Sequence, residues 1–424
     1  MRFTNLRVVT NPKTHFMGKK TIFLFFFLTG TFLLNAQEIS IATRDSIHSN
    51  ILDEDRSIWV SLPQGYNEKE NYPVLYLLDG TTNLYATFAV TRQLANEYIP
   101  PMIIVAINNK SYQDRQRNMK LYEVIPDKDS PMYKMQMARP KVEARGKQFM
   151  SFIIDELIPY IDNKYGTAPY RIISGHSATG AFALDASIVL HPETFQACIA
   201  ADPSVRGSII KELNKKSDFN RNSIYIGIAN MEDLTEAELD QKDINEHIGI
   251  YHTKSIFNLV DKINTSNFPG LSFDSKYYMQ ESHFSVPLIT TFDGLRFIFN
   301  KYPDQVRERQ KLFNSENPAA AIDTMEVRYE KLSEEYGFKL VKKESDLNEL
   351  GYGFLSRKQM EAAKKCFELN IRYHPYSQNV YDSYGDYFLA VGNKEKAIEQ
   401  FEKALEIEER SGTRKKLEKL INGG

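Results

Sequence analysis

The stretch Arg171-Ile-Ile-Ser-Gly-His-Ser-Ala-Thr-Gly-Ala-Phe-Ala183 changes character at its middle. Arg171–Ser174 is apolar and β-branched, as a buried strand requires, and from Ala178 small and apolar residues continue as a helix. Gly175-His176-Ser177-Ala178-Thr179-Gly180 must therefore turn the chain sharply from strand to helix. A serine at the apex of such a turn is held with its oxygen projecting, and its neighbours two before and two after must be small to avoid collision. Gly175 meets that demand, whereas Thr179 departs from it, with Gly180 one step later. A Gly–Ser turn before a helix also reads as an ordinary N-cap. The strand on one side and the helix on the other favour a nucleophile elbow.

Outward from this unit, short apolar runs alternate with longer amphipathic ones between Ile39 and Tyr302. The strand-like runs are Ile58–Leu62, Val74–Leu78, Met102–Ile107, Arg171–Ser174, Ala197–Ala200, Ile224–Ala229 and Ser272–Met279. Several are apolar without alternation, as strands buried on both faces must be. Helix-like segments fall at Leu84–Glu97, Val142–Asn163, Ala178–Leu190, Asn245–Ile263 and Val286–Asn300. The pattern predicts an α/β domain over 37–303, with a mostly parallel sheet covered by helices.

Residues 304–346 are charged and helical and read as a linker with one helix. Beyond them Leu347, Leu350, Gly351, Phe354, Ala363 and Phe367 recur 34 residues later as Tyr381, Tyr384, Gly385, Phe388, Ala397 and Phe401. A helix–turn–helix unit of that length needs small residues where its helices touch and bulky ones between. This resembles tetratricopeptide (TPR) repeats and predicts an all-α TPR-like region over 347–424, with units 347–380 and 381–414. Asn370 is the departure, since the second unit has Ala404 there.

The 424 residues, 42% of them hydrophobic and 25% charged, exclude a disordered or fibrous chain and imply two to three domains. Residues 1–36 differ from the rest. They carry Arg2, Arg7, Lys13, Lys19 and Lys20, no acidic residue, and then the apolar run Ile22–Leu34 ahead of Ala36. That order reads as a secretory signal peptide, and the run is too short for a membrane span. Met17-Gly-Lys-Lys reads as the more ordinary beginning. The formal net charge of −2 becomes −7 once residues 1–36 are removed, an acidic, exported protein, periplasmic or secreted, with no nucleic-acid partner and no stable membrane anchor expected. Cys198 and Cys366 stand far apart and read as two buried free thiols.

A serine nucleophile needs a histidine to take its proton and a carboxylate to orient that histidine, in the order Ser, acid, His, each just after a strand. Of the eight histidines, His15 goes with the signal-like segment, His374 lies in the repeats, and His48 and His176 precede the nucleophile. Among His191, His247, His252 and His283, His283 alone follows a strand-like run (Lys276–Gln280) and precedes a helix-like one, so it is the expected base. The acid is expected after Ile224–Ala229, at Glu232 or, as the second choice, Asp233. Two backbone N–H groups must hold the oxyanion. Ala178 supplies one, and Thr81, in Leu78-Asp-Gly-Thr-Thr-Asn83, is expected to supply the other. No metal or organic cofactor is needed.

Several blocks together resemble the esterase D-like, enterochelin (siderophore) esterase-related family of α/β-hydrolases. They are Ser61-Leu-Pro-Gln-Gly-Tyr66, Tyr72-Pro-Val-Leu-Tyr-Leu-Leu-Asp-Gly80, Leu157-Ile-Pro-Tyr-Ile-Asp162, Ala168-Pro-Tyr-Arg171, Gly175-His-Ser177 and His283-Phe-Ser-Val-Pro-Leu288. The resemblance implies an α/β-hydrolase fold and a serine carboxylic-ester hydrolase acting on a small-molecule ester: of a siderophore, or a feruloyl or acetyl ester of a glycan. It also brings in acyl transfer as an alternative outcome, and joined to TPR repeats it resembles an arrangement of Gram-negative periplasmic proteins. Two departures fall near the expected substrate entry: Val205 and Arg206 replace aromatic residues, and Asn118 stands where an Asn…Arg-x-Arg-Asp element has its Asp. Arg115, Arg117, Lys120 and Arg206 are read as a cationic rim for an anionic ferric catecholate. The rival from another class is an inactive hydrolase fold whose repeats bind a peptide or protein partner, with Thr179 as its support.

Overall fold

Strand β5 (Thr167–His176) ends in the Gly175–Ser177 turn and lies at the middle of an eight-stranded sheet. The computed structural model describes residues 40–422 except 96, 122–127, 129, 139–141 and 206, so the signal-like segment 1–36 and Arg206 lie outside the described residues. The other strands are β1 (Thr43–Ser49), β2 (Glu54–Ser61), β3 (Tyr72–Leu78), β4 (Ile103–Ile107), β6 (Ala197–Ala201), β7 (Asn222–Ala229) and β8 (Leu271–Tyr278). Their order is β1-β2-β4-β3-β5-β6-β7-β8. β1 pairs antiparallel with β2, and β2 with β4, while every later pairing is parallel.

Seven of these strands coincide with the expected apolar runs, and β1 does not. Thr-Arg-Asp-Ser-Ile-His-Ser is polar because this edge strand is largely exposed, so it shows no apolar run. The central strands β3, β4 and β6 are buried along their whole length, the mark of a sheet covered on both faces. One face packs against Phe149, Phe152, Phe182, Ile256 and Leu259, and Cys198 lies in that core as a free thiol. The other face packs against Leu295, Ile298 and Phe299 of the segment that includes the helix Val286–Ile298, and then against the helices that follow it.

Residues 304–346 hold two helices, Gln305–Phe313 and Pro318–Tyr336, where one was expected. Pro318 opens the second helix instead of interrupting one, because a proline in the first turn forfeits an N–H that has no partner there anyway. Asn317 Oδ1 accepts the Ala320 N–H at 3.2 Å and completes the cap. The described residues from 41 onward form one compact unit. Tyr170, in β5, packs its ring 5.6–5.8 Å from those of Phe299, Tyr336 and Phe338, and His374 bonds Glu70 at 3.0 Å and the Lys342 carbonyl at 2.9 Å. A cavity of about 760 Å³ opens at this seam, lined by Glu70, Phe88, Arg92, Asn348, Tyr352 and His374 among others, away from Ser177.

The 34-residue periodicity has a geometric counterpart. Helices Glu344–Ser356 and Met360–Tyr373 form one hairpin, Gln378–Ala390 and Lys394–Ile407 the next, and Ser411–Asn422 packs against the last. A Cβ added to Gly351 would stand 2.6 Å from the Phe367 ring, and one added to Gly385 would stand 2.5 Å from the Phe401 ring, so the same close approach is made twice. Asn370 is buried where the second hairpin has buried Ala404, and its amide donates to the Glu344 carbonyl at 3.1 Å. Gly385→Val is expected to cost about 1–3 kcal/mol by overpacking, read as a lower urea midpoint at unchanged m-value.

Candidate active site

Ser177 has φ 59° and ψ −120°, a backbone conformation that costs a non-glycine residue on the order of 1–3 kcal/mol. The surroundings hold it there. Its N–H donates to the Ala201 carbonyl at 2.9 Å, and its own carbonyl accepts from Ala181 and Ser204 at 3.0 Å each. The hydroxyl stands half-buried at the start of the helix Ala178–Leu184, 3.3 Å from the Ser204 hydroxyl. Position 175 admits only glycine, since a Cβ there would lie 2.3 Å from the Thr179 carbonyl oxygen. Thr179 is accommodated fully buried, with its hydroxyl 2.9 Å from both the His176 N–H and the His176 carbonyl.

His283 follows β8, in the turn before the helix Val286–Ile298. Its ring lies 4.4 Å from that of His176, the residue preceding Ser177. Burial, reinforced by the neighbouring His283 ring, pushes the His176 imidazole down to about 4, so it is neutral near pH 7.

The acid beside His283 is Asp202, and this corrects the expectation of Glu232. His283 Nδ1 meets Asp202 Oδ2 at 2.5 Å, which leaves Nε2 as the ring nitrogen to exchange a proton. Asp202 immediately follows β6, one strand earlier than expected, with φ 41° and its side chain wholly buried. Its Oδ1 accepts the Ala229 N–H at 3.1 Å, and His252 Nε2 approaches Oδ2 at 3.1 Å without the alignment of a full hydrogen bond. Burial alone would raise the Asp202 carboxyl. The approach of His252, the His283 bond and the Ala229 N–H outweigh it and hold the carboxyl well below the usual carboxylate range. Glu232 instead bonds His247 Nδ1 at 2.7 Å against the start of the helix Ile248–Ser266, and Asp233 is exposed.

Asp202, His252 and His283 each offer one ligand atom within 4.8 Å of the others. The 2.5 Å contact is nonetheless a hydrogen bond, because two donors on one zinc ion stand about 3.3 Å apart at bond lengths near 2.0–2.1 Å.

Thr81 lies in the first turn of the helix Gly80–Leu94, which faces the elbow through Asp79. Arg115, expected at a substrate rim, is already committed. Its guanidinium grips the Asp79 carboxylate, with Nε 2.9 and 2.8 Å from the two oxygens and an Nη2 contact of 2.7 Å. Arg117 pairs loosely with Asp114 at 3.6 Å, and Lys120 donates to the Val142 carbonyl at 3.1 Å. Asn118 is buried, and its amide donates to Asn109, whose amide in turn reaches Asp79 at 3.3 Å. The segment expected to face substrate therefore braces the turn after β3.

Residues 49–252 match the family model described as "Putative esterase", a span that includes Ser177 and Asp202 and stops before His283. The ferri-bacillibactin esterase BesA of Bacillus subtilis is 26% identical over 262 residues, 58% of this chain and 85% of that protein. An IroE-like serine hydrolase from Shewanella oneidensis has a similar structure, with TM-score 0.61 and 25% identity over 78% of this chain and 99% of that one. An uncharacterised protein from Capnocytophaga ochracea shares the fold over 90% of this chain and 99% of its own, with TM-score 0.54 and 16% identity. The family match and the esterase relatives support a carboxylic ester hydrolase. Among the described residues, no helix is long and apolar enough to cross a membrane.

Proposed function

We propose that this chain is a serine ester hydrolase in which Ser177 attacks the ester carbonyl, His283 carries the proton and Asp202 orients His283. The observation that carries the reading is the buried Asp202 carboxylate on His283 Nδ1, beside a serine held in a strained strand-to-helix turn. His283 Nε2 takes the Ser177 proton as the oxygen attacks, and the resulting imidazolium is stabilised by the anionic Asp202. The tetrahedral oxyanion is held by the N–H groups of Ala178 and Thr81, each worth on the order of 10²–10³ in rate. Collapse of that intermediate gives the acyl on Ser177 and the free alcohol, which receives the proton from His283. Water then reverses the sequence and releases the acid.

The substrate class favoured is an iron-chelating siderophore ester, because the curated relative is a ferri-bacillibactin esterase. A cationic rim adds little to that choice, since Arg115 is spent on Asp79. In a panel at equal concentration, a ferric tris-catecholate trilactone is expected to be cleaved with at least about tenfold higher kcat/KM than feruloyl-glycan or simple acetyl esters. The opposite ranking moves the assignment to glycan esters, and a dominant transfer product in the presence of an alcohol makes the chain an acyltransferase. Residues 1–36 support export to a periplasm. We further infer that the paired hairpins are TPR units. Their shared core with the sheet supports bracing of the hydrolase ahead of capture of a peptide partner.

A further inference from the structure

Thr179 breaks the small-residue rule of the elbow, and the structure gives that break a use. Its hydroxyl, two residues after Ser177, accepts the His176 N–H at 2.9 Å and lies 3.1 Å from Asp79 Oδ2 and 2.9 Å from the His176 carbonyl. With one proton and two acceptors in reach, the carboxylate is the stronger partner. Arg115 clamps the same carboxylate, and its Nη2 reaches the His176 carbonyl at 3.4 Å. Both backbone polar groups of the residue before the nucleophile are thus tied to Asp79.

Asp79 precedes the helix Gly80–Leu94, yet it does not act as an ordinary capping aspartate. Such a residue has an extended backbone and bonds the N–H two or three residues on. Asp79 is left-handed, at φ 52° and ψ 46°, and makes no side-chain cap bond. The Thr82 and Asn83 N–H groups return to the Asp79 carbonyl, so neither that turn nor the carboxylate consumes the N–H groups of Gly80 and Thr81. A Cβ at position 80 would meet Ala106 at 2.7 Å and Asn108 Oδ1 at 2.8 Å, so the turn also lies tight on β4.

We propose that Thr179 and Arg115 are positioning residues for ester hydrolysis, holding Asp79 away from its own helix so that the Thr81 N–H is set against Ser177 as an oxyanion donor. Glycine at position 179 has no hydroxyl with which to make this tie. The inference rests on the serine-hydrolase reading above. It also turns Thr179 from support for an inactive protein into part of a working site.

The test compares Thr179→Val, which keeps the shape and loses the hydroxyl, with Thr179→Ser, which keeps the hydroxyl. With a p-nitrophenyl ester as substrate and phenylboronic acid as a mimic of the tetrahedral adduct, the valine variant is expected to lose roughly 10–100-fold in kcat. Its KM should stay within about threefold, and the boronic acid should weaken by a factor similar to kcat. The serine variant is expected to return kcat to within about threefold of wild type. Asp79→Asn, which tolerates the left-handed backbone and removes the charge, should follow the valine variant. Arg115→Met releases Asp79 from its other side and is read in the same way, so a misfolded valine variant leaves the question decidable. The proposal is overturned if Thr179→Val keeps kcat within about threefold, or if serine and valine are equally impaired in step with a lowered melting temperature. Wild-type protein that hydrolyses no ester, or a Ser177→Ala variant as active as wild type, defeats the underlying reading instead.

Discussion

Ser177→Ala is expected to lower ester hydrolysis by about 10⁴–10⁶-fold with KM nearly unchanged, and to abolish labelling by a fluorophosphonate probe. The size of the effect follows from the role. Without the hydroxyl no acyl-enzyme forms, and what remains is the rate that substrate positioning and the oxyanion donors give to direct attack by water. The variant should fold as the wild type does, since the bonds that hold residue 177 in its strained turn come from its backbone N–H and carbonyl. The hydroxyl itself adds only a 3.3 Å approach to Ser204. Losing less than about tenfold in kcat, or labelling that survives the substitution, would remove Ser177 from the mechanism, whereas wild-type protein that neither labels nor hydrolyses an ester would restore the inactive binding-protein reading.

Asp202→Asn should cost about 10³–10⁴-fold in kcat near pH 7, whereas Glu232→Gln should leave kcat within about threefold. An asparagine at 202 keeps the shape, but it can present an N–H to His283 Nδ1 and so favour the wrong tautomer, and it removes the negative charge that stabilises the imidazolium. Glu232 touches His247 and not His283, so its charge is far less coupled to the reaction. The contrast between the two variants is the measurement: equal losses, or the larger loss at Glu232, would return the acid to the loop after β7. Both proteins should be checked by thermal melting, because Asp202 also accepts the Ala229 N–H and its loss disturbs the end of β7.

The difference between these two carboxylates is not visible in the residues. Glu232 and Asp233 stand out because they follow the strand where the fold commonly places its acid, and adjacent carboxylates in a loop look alike until burial separates them. Asp202, in Ala200-Ala-Asp-Pro-Ser204, satisfies the same order of Ser, acid and His. It also stands just after an apolar strand, the one available signal, but an Asp before Pro reads as a loop. Only the pairing of β6 beside β5 shows that this aspartate stands next to the elbow. The proposed nucleophile and base are easier to find because backbone geometry and chain order restrict them: Gly175 must be glycine, and of the histidines after Ser177, His283 is the one that follows a strand and precedes a helix. The same logic separates the strands. β3, β4, β6 and β7 announce themselves by uninterrupted apolar runs, while β1 borrows its strand character from pairing with β2 and carries no local signature. Arg115 is misplaced for a related reason, since a charged residue in a polar segment looks exposed until its partner, 36 positions away, is brought beside it.

The aromatic packing of Tyr170 against Phe299, Tyr336 and Phe338 bears on the order in which the protein can be made. Roughly 120 residues follow Tyr302, and at about 5–20 residues per second a ribosome needs roughly 6–24 s to add them. During that interval the residues of the proposed site are complete in sequence and the helices Gly80–Leu94 and Val286–Ile298 can already cover that face, but Tyr170 still lacks Tyr336 and Phe338. A chain stopped before residue 336 would leave the rings of Tyr170 and Phe299 uncovered at that end of the sheet, and is expected to aggregate before it loses the proposed site.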